Sequence, residues 1–376
     1  MAGIYLHIPF CRQACHYCDF HFSTTMHSKS DLLAAMHTEI RMRKHYVHNE
    51  QINTIYFGGG TPSLLDEDDL KRLLDEIFET HQVAMGAEIT LEANPDDLDK
   101  RKIKSLHDAG INRLSIGIQS FRDEDLQLMN RVHRAEQSEY AVKASQDAGF
   151  ENITIDLIYS IPGLAMSSWQ QNLEKAMDLE VQHISAYSLT IEPKTVFGHR
   201  FAKGLLTPVD ESLSQDQFLM MVETFAEHGY RQYEVSNFGK TGFESKHNSS
   251  YWKGEWYTGF GPSAHSFDGK NRQWNVANNQ QYIRALSKGE LLFEREELTP
   301  EMRLNEYLMT GLRTIWGVDL QYIRDQFGVD IKSSYSGEIE AWIAEGKMKE
   351  SGSVLTLTSQ GFLFADRIAS DLFIVA

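Results

Sequence analysis

The chain alternates short apolar runs with amphipathic segments from its N-terminus to about residue 235. Six runs have the length and composition of buried strands, and they are GIYLHIP, TIYFGGG, EITLEAN, RLSIGIQSF, NITIDLIYSIPG and HISAYSLTIEP. Segments with helical periodicity separate them, such as DEDDLKRLLDEIFETH, DKRKIKSLHDAG and SSWQQNLEKAMDLE. Two helices are expected to end at Gly110 and Gly149, since glycine is a common helix C-cap. The alternation predicts a parallel sheet with helices outside it.

Six strand–helix units are too few for a complete eight-unit barrel. The pattern therefore favours an α/β fold with a partial, TIM-like (β/α)6 barrel over residues 1–235, and a doubly wound sheet is the alternative. Polar groups follow five of the predicted strands: the loop that carries the cysteines, the Gly58–Thr61 segment, Glu92, Gln119 and Asp156. Because barrels of this kind carry their sites at the carboxyl ends of the strands, we expect a site there.

The remaining third of the chain has a different pattern. Residues 236–298 are rich in Gly, Asn and aromatics with weak periodicity, which predicts a connecting region of long loops and short strands. Residues 299–376 show three helical stretches, then a strand, a turn and a final helix, an order typical of a small winged-helix-like domain. Its acidic balance favours a packing or docking role over DNA binding.

Charge and composition narrow the function. A formal net charge of −17 argues against nucleic acid, whose phosphates attract Lys and Arg, and against adsorption on an anionic membrane. Hydrophobic and charged contents of 41% and 24% are ordinary for a soluble protein. Without an apolar run long enough to span a bilayer or a signal-peptide pattern, we expect a cytoplasmic protein with at most transient contact with membrane proteins.

All three cysteines lie in one loop directly after the first apolar run, at Cys11, Cys15 and Cys18. Thiolates are the usual protein ligands of iron–sulfur clusters, and three of them leave one iron of a 4Fe–4S cluster open to another ligand. A Cys3His zinc site completed by His7 or His16 is the alternative. The odd cysteine count and the chain length exclude a disulfide framework.

The cysteine spacing followed by GGGTP resembles the radical S-adenosylmethionine enzymes. More narrowly, YLHIPFCRQACHYCDF with GGGTPS, GIQSF and DLIYSIPG is similar to the oxygen-independent coproporphyrinogen III oxidase group, over essentially the whole chain. True oxidases of this group carry a fourth cysteine two positions after the third, where this chain has Phe20. The stretch HNSSYW instead matches the HNxxYW signature of the group's haem-chaperone branch.

Resemblance to that branch implies a chaperone that binds haem, a 4Fe–4S cluster and S-adenosylmethionine and delivers haem to respiratory-chain haem proteins. A haem donor protein and a homodimer are further partners that it suggests. Coproporphyrinogen III oxidase activity is the alternative function, which Phe20 disfavours, and a radical enzyme with another substrate is a third. Whether the chain is an enzyme therefore stays open, and no catalytic residue is assigned.

The resemblance also implies a set of residues that hold S-adenosylmethionine. They are Tyr5, Tyr17, Gly59, Gly60, Thr61, Glu92, Gln119, Arg131 and Asp156. Tyr5 is expected at the methionine carboxylate, Tyr17 near the adenine through its backbone carbonyl, and Glu92 at the ribose hydroxyls. The backbone N–H groups of the glycine run are expected to approach the amino and carboxylate groups closely.

For haem, the candidate iron ligand is His247 in HNSSYW, because neutral imidazole binds iron well. Tyr251 and Trp252 are expected to pack on the porphyrin, and His265 is the competing ligand. The sequence has no CxxCH motif, so attachment through c-type thioether bonds is not expected.

Overall fold

A computed structural model describes residues 2–48 and 50–374 of the chain. Six parallel strands follow one another in chain order across the centre of a large sheet. They are β1 (Ala2–Ile8), β2 (Ile52–Gly59), β3 (Val83–Ala93), β4 (Arg113–Gln119), β5 (Ile153–Tyr159) and β6 (His183–Ser188). Each overlaps one of the six apolar runs, most of which continue past the end of the strand, and most of the strand side chains are buried, as in parallel sheets covered on both faces. The order has no reversal, so the partial (β/α)6 barrel is confirmed and the doubly wound alternative is wrong.

Helices connect these strands and cover the sheet. They are α1 (Lys29–Met42), α2 (Glu67–Thr80), α3 (Lys100–Asp108), α4 (Asp123–Leu128), α5 (Ala135–Asp147), α6 (Met166–Asp178), α7 (Val196–Ala202) and α8 (Glu211–Glu227), with 3₁₀ turns at Pro62–Leu64 and Pro95–Asp97. The carboxylate of Asp66 accepts a hydrogen bond from Asp69 N and so caps α2. Gly110 and Gly149 follow α3 and α5 with φ of +95° each, which confirms both as helix ends.

Residues 231–297 extend the sheet on both sides. Strands β7 (Arg231–Gln232) and β8 (Asn237–Gly239) join the edge at β6, and β9 (Trp256–Phe260), β10 (His265–Phe267), β11 (Asn271–Asn275) and β12 (Phe293–Glu297) join at β1. Helices α9 (Lys246–Trp252) and α10 (Asn279–Leu286) lie between these strands in the chain. The strands are short, as predicted, but β9 pairs in parallel with β1 and makes the region part of the main sheet.

The C-terminal part combines helices with a three-stranded antiparallel sheet of order β13–β15–β14. Its elements are α11 (Pro300–Leu312), β13 (Val318–Asp319), α12 (Leu320–Phe327), α13 (Ile331–Ser334), α14 (Ser336–Ala344), β14 (Met348–Ser351), β15 (Val354–Leu357), α15 (Ser359–Phe362) and α16 (Ala365–Asp371). Helices followed by a β-hairpin agree with the winged-helix-like expectation. No described helix of the chain is both long and apolar enough to cross a bilayer.

A buried carboxylate joins the sheet extension to the barrel. Glu39 of α1 is fully buried, and its oxygens accept hydrogen bonds from Gly261 N (2.9 Å), Tyr282 Oη (2.6 Å) and Asn275 Nδ2 (2.7 Å). The Arg43 guanidinium lies 3.0 Å away and balances the charge. Burial raises the pKa of Glu39, a cost that these donors and the cation offset.

Replacing Glu39 with Ala leaves Arg43 as an uncompensated buried charge. We expect the free energy of unfolding to fall by about 3–5 kcal/mol, measured by urea denaturation. Asp31→Ala, at an exposed position of the same helix, is the control and should change stability by less than about 1 kcal/mol. Equal stabilities of the two variants would show that this network does not hold the extension in place.

Candidate functional site

A cavity of about 530 Å³ opens at the carboxyl ends of β1–β6. Eleven of the thirteen predicted site residues line it, and they are Cys11, Cys15, Tyr17, Cys18, Gly59, Gly60, Thr61, Glu92, Gln119, Arg131 and Asp156. Residues from five different strands therefore meet in one place, because parallel strands in chain order end on the same side of the sheet. Tyr5 and His247 lie outside this cavity.

The cysteine loop is anchored by backbone hydrogen bonds at its base. Cys11 N donates to Ser23 O (3.0 Å) and Ser23 N donates to Pro9 O (2.8 Å), which closes the loop just after β1. His16 N donates to Met129 O at 3.0 Å and ties the middle of the loop to the segment after α4. All three thiols are free and half-buried. Burial raises the pKa of Cys18 to about 11.

A hydrogen-bonded chain links two of the cysteines across the cavity. Thr61 Oγ1 donates to Cys11 Sγ (3.5 Å) and accepts from Asn94 Nδ2 (3.2 Å). Asn94 Oδ1 accepts from Arg131 Nη2 at 2.7 Å, and Arg131 Nη1 lies 3.6 Å from Cys15 Sγ. Asn94 was not among the predicted residues, although its place directly after the third strand was the available signal. It joins the predicted Thr61 and Arg131 into one network.

The glycine run serves the packing of strands more than the binding of a ligand. Gly60 N donates to Ile8 O (2.9 Å), Thr61 N to Phe10 O (2.7 Å) and Gly59 N to Glu92 Oε2 (3.3 Å), so the N–H groups expected for the cofactor are already used. A Cβ on Gly60 would lie 2.6 Å from Phe10 O, which no side chain can tolerate. The predicted contact of these N–H groups with the cofactor stays a prediction, and it would require them to exchange partners within the chain.

Two carboxyl groups line the cavity from β3 and β5, the strands on either side of β4. Burial raises the pKa of Glu92 to about 7, and Asp156 adds to the shift. Burial likewise raises the pKa of Asp156 to about 6, although Ser115 Oγ donates to it at 3.2–3.3 Å. Tyr56 Oη donates to Glu92 Oε1 at 2.8 Å. Both acids are therefore costly to ionise in the empty cavity and would gain from hydroxyl or amino groups of a ligand.

A buried arginine lies deeper in the same cavity and was not predicted. Arg113 is 1% exposed, and its Nη2 donates to Thr154 Oγ1. Its sequence signal was a charge at the start of the fully buried strand RLSIGIQ. Gln119, at the other end of that strand, has φ of +69°, a conformation that a non-glycine residue adopts at some energetic cost. Gly117 leaves room for it, because a Cβ there would lie 2.8 Å from Gln119 Nε2.

The donor set can be compared with the two metal centres considered from the sequence. Among the described residues, no three Cys, His, Asp or Glu side chains converge as the ligands of one metal ion, the arrangement that zinc needs. In a 4Fe–4S cluster each thiolate binds a different iron, so wider spacing is expected. His7 hydrogen-bonds with Tyr5 Oη and His21 O, and His16 with Leu128 O. Both ring nitrogens of His7 therefore have partners within the chain, which disfavours His7 as a fourth zinc ligand. The three half-buried thiols of one loop can supply the three thiolates of a 4Fe–4S cluster.

Fit to S-adenosylmethionine can be judged from Arg131. Its Nε is buried and has no hydrogen-bond partner among the described residues, while Nη2 is held by Asn94 and Gly117. A guanidinium fixed in this way suits a carboxylate. The cavity therefore offers a cation, two carboxyl groups and a thiol-rich wall, which match the charged and hydroxyl groups of that cofactor.

The residues of HNSSYW form helix α9 and not the loop that was predicted. His247 is 1% exposed, and its ring hydrogen-bonds with Thr54 Oγ1 and Tyr251 Oη, at 2.8 Å each. The ring stacks on Tyr56 with centroids 4.9 Å apart, and burial lowers its pKa to about 3. With both nitrogens engaged and no opening to either large cavity, His247 is not placed to ligate haem in this structure. Tyr5 does not line the first cavity but lines the second.

Comparison with known proteins is now possible. Residues 5–176 match the radical SAM superfamily, and residues 298–364 match the HemN C-terminal domain. The protein named heme chaperone HemW of Bacillus subtilis is 35% identical, over 98% of both chains. The chain belongs to the HemW family. The HemW of Escherichia coli is 30% identical over 97% of this chain and 96% of its own.

A solved structure agrees with the fold described above. Coproporphyrinogen III oxidase (HemN) from Escherichia coli, described as a radical SAM enzyme, superposes with a TM-score of 0.85. The match covers 99% of this chain and 90% of the other at 21% identity, so it supports the architecture and not the activity. HemW and HemN chains thus share one fold, including the C-terminal part.

Replacing Glu92 with Gln should change how stability depends on pH. The folded chain retains a proton on Glu92 that the unfolded chain releases between about pH 4.5 and 7, so wild-type stability falls as pH rises through that range. We expect cofactor-free Glu92→Gln to be more stable at pH 8 by up to about 3 kcal/mol, with little difference at pH 5, in urea denaturation. Exposed Glu223→Gln is the control. An unchanged pH profile of Glu92→Gln would contradict the burial argument.

Replacing Asn94 with Ala should break the link between Thr61 and Arg131. We expect a loss of stability of about 1–3 kcal/mol, since buried donors and acceptors lose their partners, and faster fading of the visible absorption of anaerobically reconstituted protein. Asn53→Ala is the control, because Asn53 Nδ2 has no partner among the described residues. If both variants kept the absorption equally long, Asn94 would have no role in holding the cysteines.

Proposed function

We propose that this protein is a haem chaperone that binds haem and holds a 4Fe–4S cluster with S-adenosylmethionine beside it. The observation that carries the proposal is the pairing of a full-length match to proteins named heme chaperone HemW with three thiols at the mouth of one cavity. Identities of 35% and 30% to these proteins over nearly the whole chain support the same function for this chain and disfavour a different one.

The first cavity would hold the cluster and the cofactor. Cys11, Cys15 and Cys18 would supply three thiolates, and the hydrogen bonds from Thr61 and the Arg131 guanidinium would stabilise the negative charge on two of them. When bound, a reduced cluster can supply an electron for cleavage of S-adenosylmethionine. Arg131 would bind the carboxylate of that cofactor through the Nε that has no other described partner.

The two carboxyl groups would orient the rest of the cofactor. Glu92 is held in place by Tyr56 and Gly59, and Asp156 by Ser115, so neither side chain can turn away from the cavity without losing hydrogen bonds. Hydroxyl or amino donors from a ligand would replace the water that burial removed and favour the ionised acids. Binding should therefore lower the pKa values of both acids.

A second candidate function is oxygen-independent coproporphyrinogen III oxidation, which the shared HemN fold would permit. Phe20 disfavours it, because the oxidases that the chain resembles have a cysteine at this position. The Phe20 side chain is 69% exposed and lines the first cavity, where it can neither ligate iron nor transfer a proton. The chaperone is therefore the better-supported function.

The proposal extends to partners and place of action. We propose that the chain works in the cytoplasm, receives haem from a donor protein and passes it to respiratory haem proteins, with a homodimer as one form of the carrier. The division into residues 1–235, 236–298 and 299–376 is likewise proposed, with the last unit as the docking part. Binding of protein partners through it would suit a surface of helices beside a small sheet.

Haem titration of anaerobically reconstituted protein tests the chaperone directly. We expect one haem per chain, read by absorbance, with and without the cluster, and no conversion of coproporphyrinogen when reductant and S-adenosylmethionine are supplied. Cys15→Ala should lose the visible absorption of the cluster, since only two thiolates remain, while haem is still bound. Gel filtration during the titration reports whether haem changes the assembly state.

The contrary results are distinct. Formation of protoporphyrinogen would make the protein an oxidase, and failure of the wild-type chain to bind haem would reject the chaperone. Full cluster absorption in Cys15→Ala would show that the three thiols are not the cluster ligands. Zinc without inorganic sulfide in oxygen-free material would reject the cluster itself.

A further inference from the structure

A second and larger cavity lies on the other side of the cysteine loop. Its volume is about 990 Å³, at the upper end of the range of roughly 300–1,000 Å³ found for small-molecule sites. Asp19 and Phe20 line both cavities, so the loop that carries the cysteines is the wall between them. None of the residues predicted for S-adenosylmethionine, apart from Tyr5, reaches this second space.

Two surfaces rich in aromatic rings face each other across this cavity. The sheet extension and α9 supply Tyr251, Trp252, Tyr257 and Phe267, and the C-terminal helices supply Tyr307, Tyr322 and Phe327. Rings on both sides of a cleft suit a large, flat and apolar ligand, because such a ligand buries both of its faces at once. The Tyr251 and Trp252 of HNSSYW thus reach the second cavity, whereas His247 of the same motif does not.

Cations and carboxylates both line this cavity, and they are Lys253, Arg272 and Arg303 with Asp19, Glu255, Glu306 and Asp319. Arg303 forms no ion pair with any described residue, and its guanidinium lies 5.8 Å from the centre of the Phe327 ring. Arg272 pairs with Glu306 at 2.9 Å. Guanidinium groups next to an aromatic cleft can bind the carboxylates of a planar acid while the ring system packs between the aromatics.

Three histidines line the second cavity, and they differ in what their rings contact. The ring of His7 hydrogen-bonds with Tyr5 Oη and His21 O, and His21 Nε2 hydrogen-bonds with Asn279 Oδ1 at 2.8 Å. The ring of His265 makes no hydrogen bond within the described part of the chain. It is exposed on β10 and stacks on Trp274 of the neighbouring strand, with centroids 5.9 Å apart.

We propose that the second cavity is the haem site, with His265 as the axial ligand of the iron and Arg303 at a propionate. This inference rests on the proposed haem-binding function and adds where the haem lies. The ring nitrogens of His265 have no hydrogen-bond partner among the described residues. His265 lines a cleft rich in aromatics and lies on a strand hydrogen-bonded to its neighbour. A neutral imidazole in such a position is a good iron ligand.

The test is a titration of ferric haem into His265→Ala and His265→Met, followed by the Soret absorption. We expect His265→Ala to weaken binding at least about tenfold, the change that 1.4 kcal/mol of lost binding energy produces. His265→Met should still bind but with a shifted Soret band, because a thioether replaces the imidazole. Arg303→Gln should weaken binding without moving the band.

One histidine variant is the matched control, and a second tests the rival ligand. His228→Ala changes an exposed histidine at the C-cap of α8 and should bind haem with the wild-type affinity and band. His247→Gln should keep the position of the Soret band, because the imidazole of His265 remains, but its affinity is no control since His247 contacts Tyr251 of the same cavity. Circular dichroism and thermal unfolding should show that every variant is folded.

The outcomes separate this inference from the proposed function. If the wild-type chain binds no haem, the chaperone proposal fails. If the wild-type chain binds haem and the His265 variants keep its affinity and band, only this site assignment fails. If a folded His247→Gln alone shifts the band, the ligand is His247 and the cavity assignment is overturned.

Discussion

Strand β1 is hydrogen-bonded on both of its edges, and the rest of the molecule depends on that arrangement. It pairs in parallel with β2, where Tyr5 lies opposite Tyr56, and with β9, where Tyr5 lies opposite Gly259. The cysteine loop leaves the end of this strand and has no freedom to move sideways. The loop therefore separates two cavities. The barrel strands line the first cavity, and the sheet extension lines the second.

Several polar groups at the first cavity are buried without the solvation or hydrogen bonds that they would have in water. Glu92 and Asp156 are held at raised pKa values by burial, and Arg131 has a buried Nε without a described partner. Each of these buried groups lowers the free energy of unfolding. A ligand that supplied the opposite charge or a hydrogen-bond partner would remove that cost. Such strain is typical of a preorganised binding site, whereas a core that served only stability would contain apolar side chains in these positions.

The HNSSYW stretch shows how a motif can be divided between two tasks. His247 ties α9 to β2 through Thr54, and Glu88 accepts hydrogen bonds from the N–H groups of Lys246 and His247 at the start of the helix. Its Tyr251 hydrogen-bonds with His247 and still lines the second cavity with Trp252. The histidine thus positions the aromatics, which explains why all of these residue types occur together.

The sequence by itself determined the barrel, the cysteine loop and the polar residues at the strand ends, because these follow from local periodicity and spacing. Of the eleven predicted residues around the first cavity, Tyr17 and Arg131 were implied only by the resemblance to a known family. It could not show that β9 would pair with β1, since strand pairing between distant segments depends on tertiary packing. Tertiary packing also decided three further features. Lys246–Trp252 forms a helix, Asn94 bridges Thr61 and Arg131, and Gly60 N donates to Ile8 O of β1. Whether the ring nitrogens of a histidine have hydrogen-bond partners is decided only in the folded chain. The fold occupies both ring nitrogens of His247 and therefore favours His265 as the haem ligand.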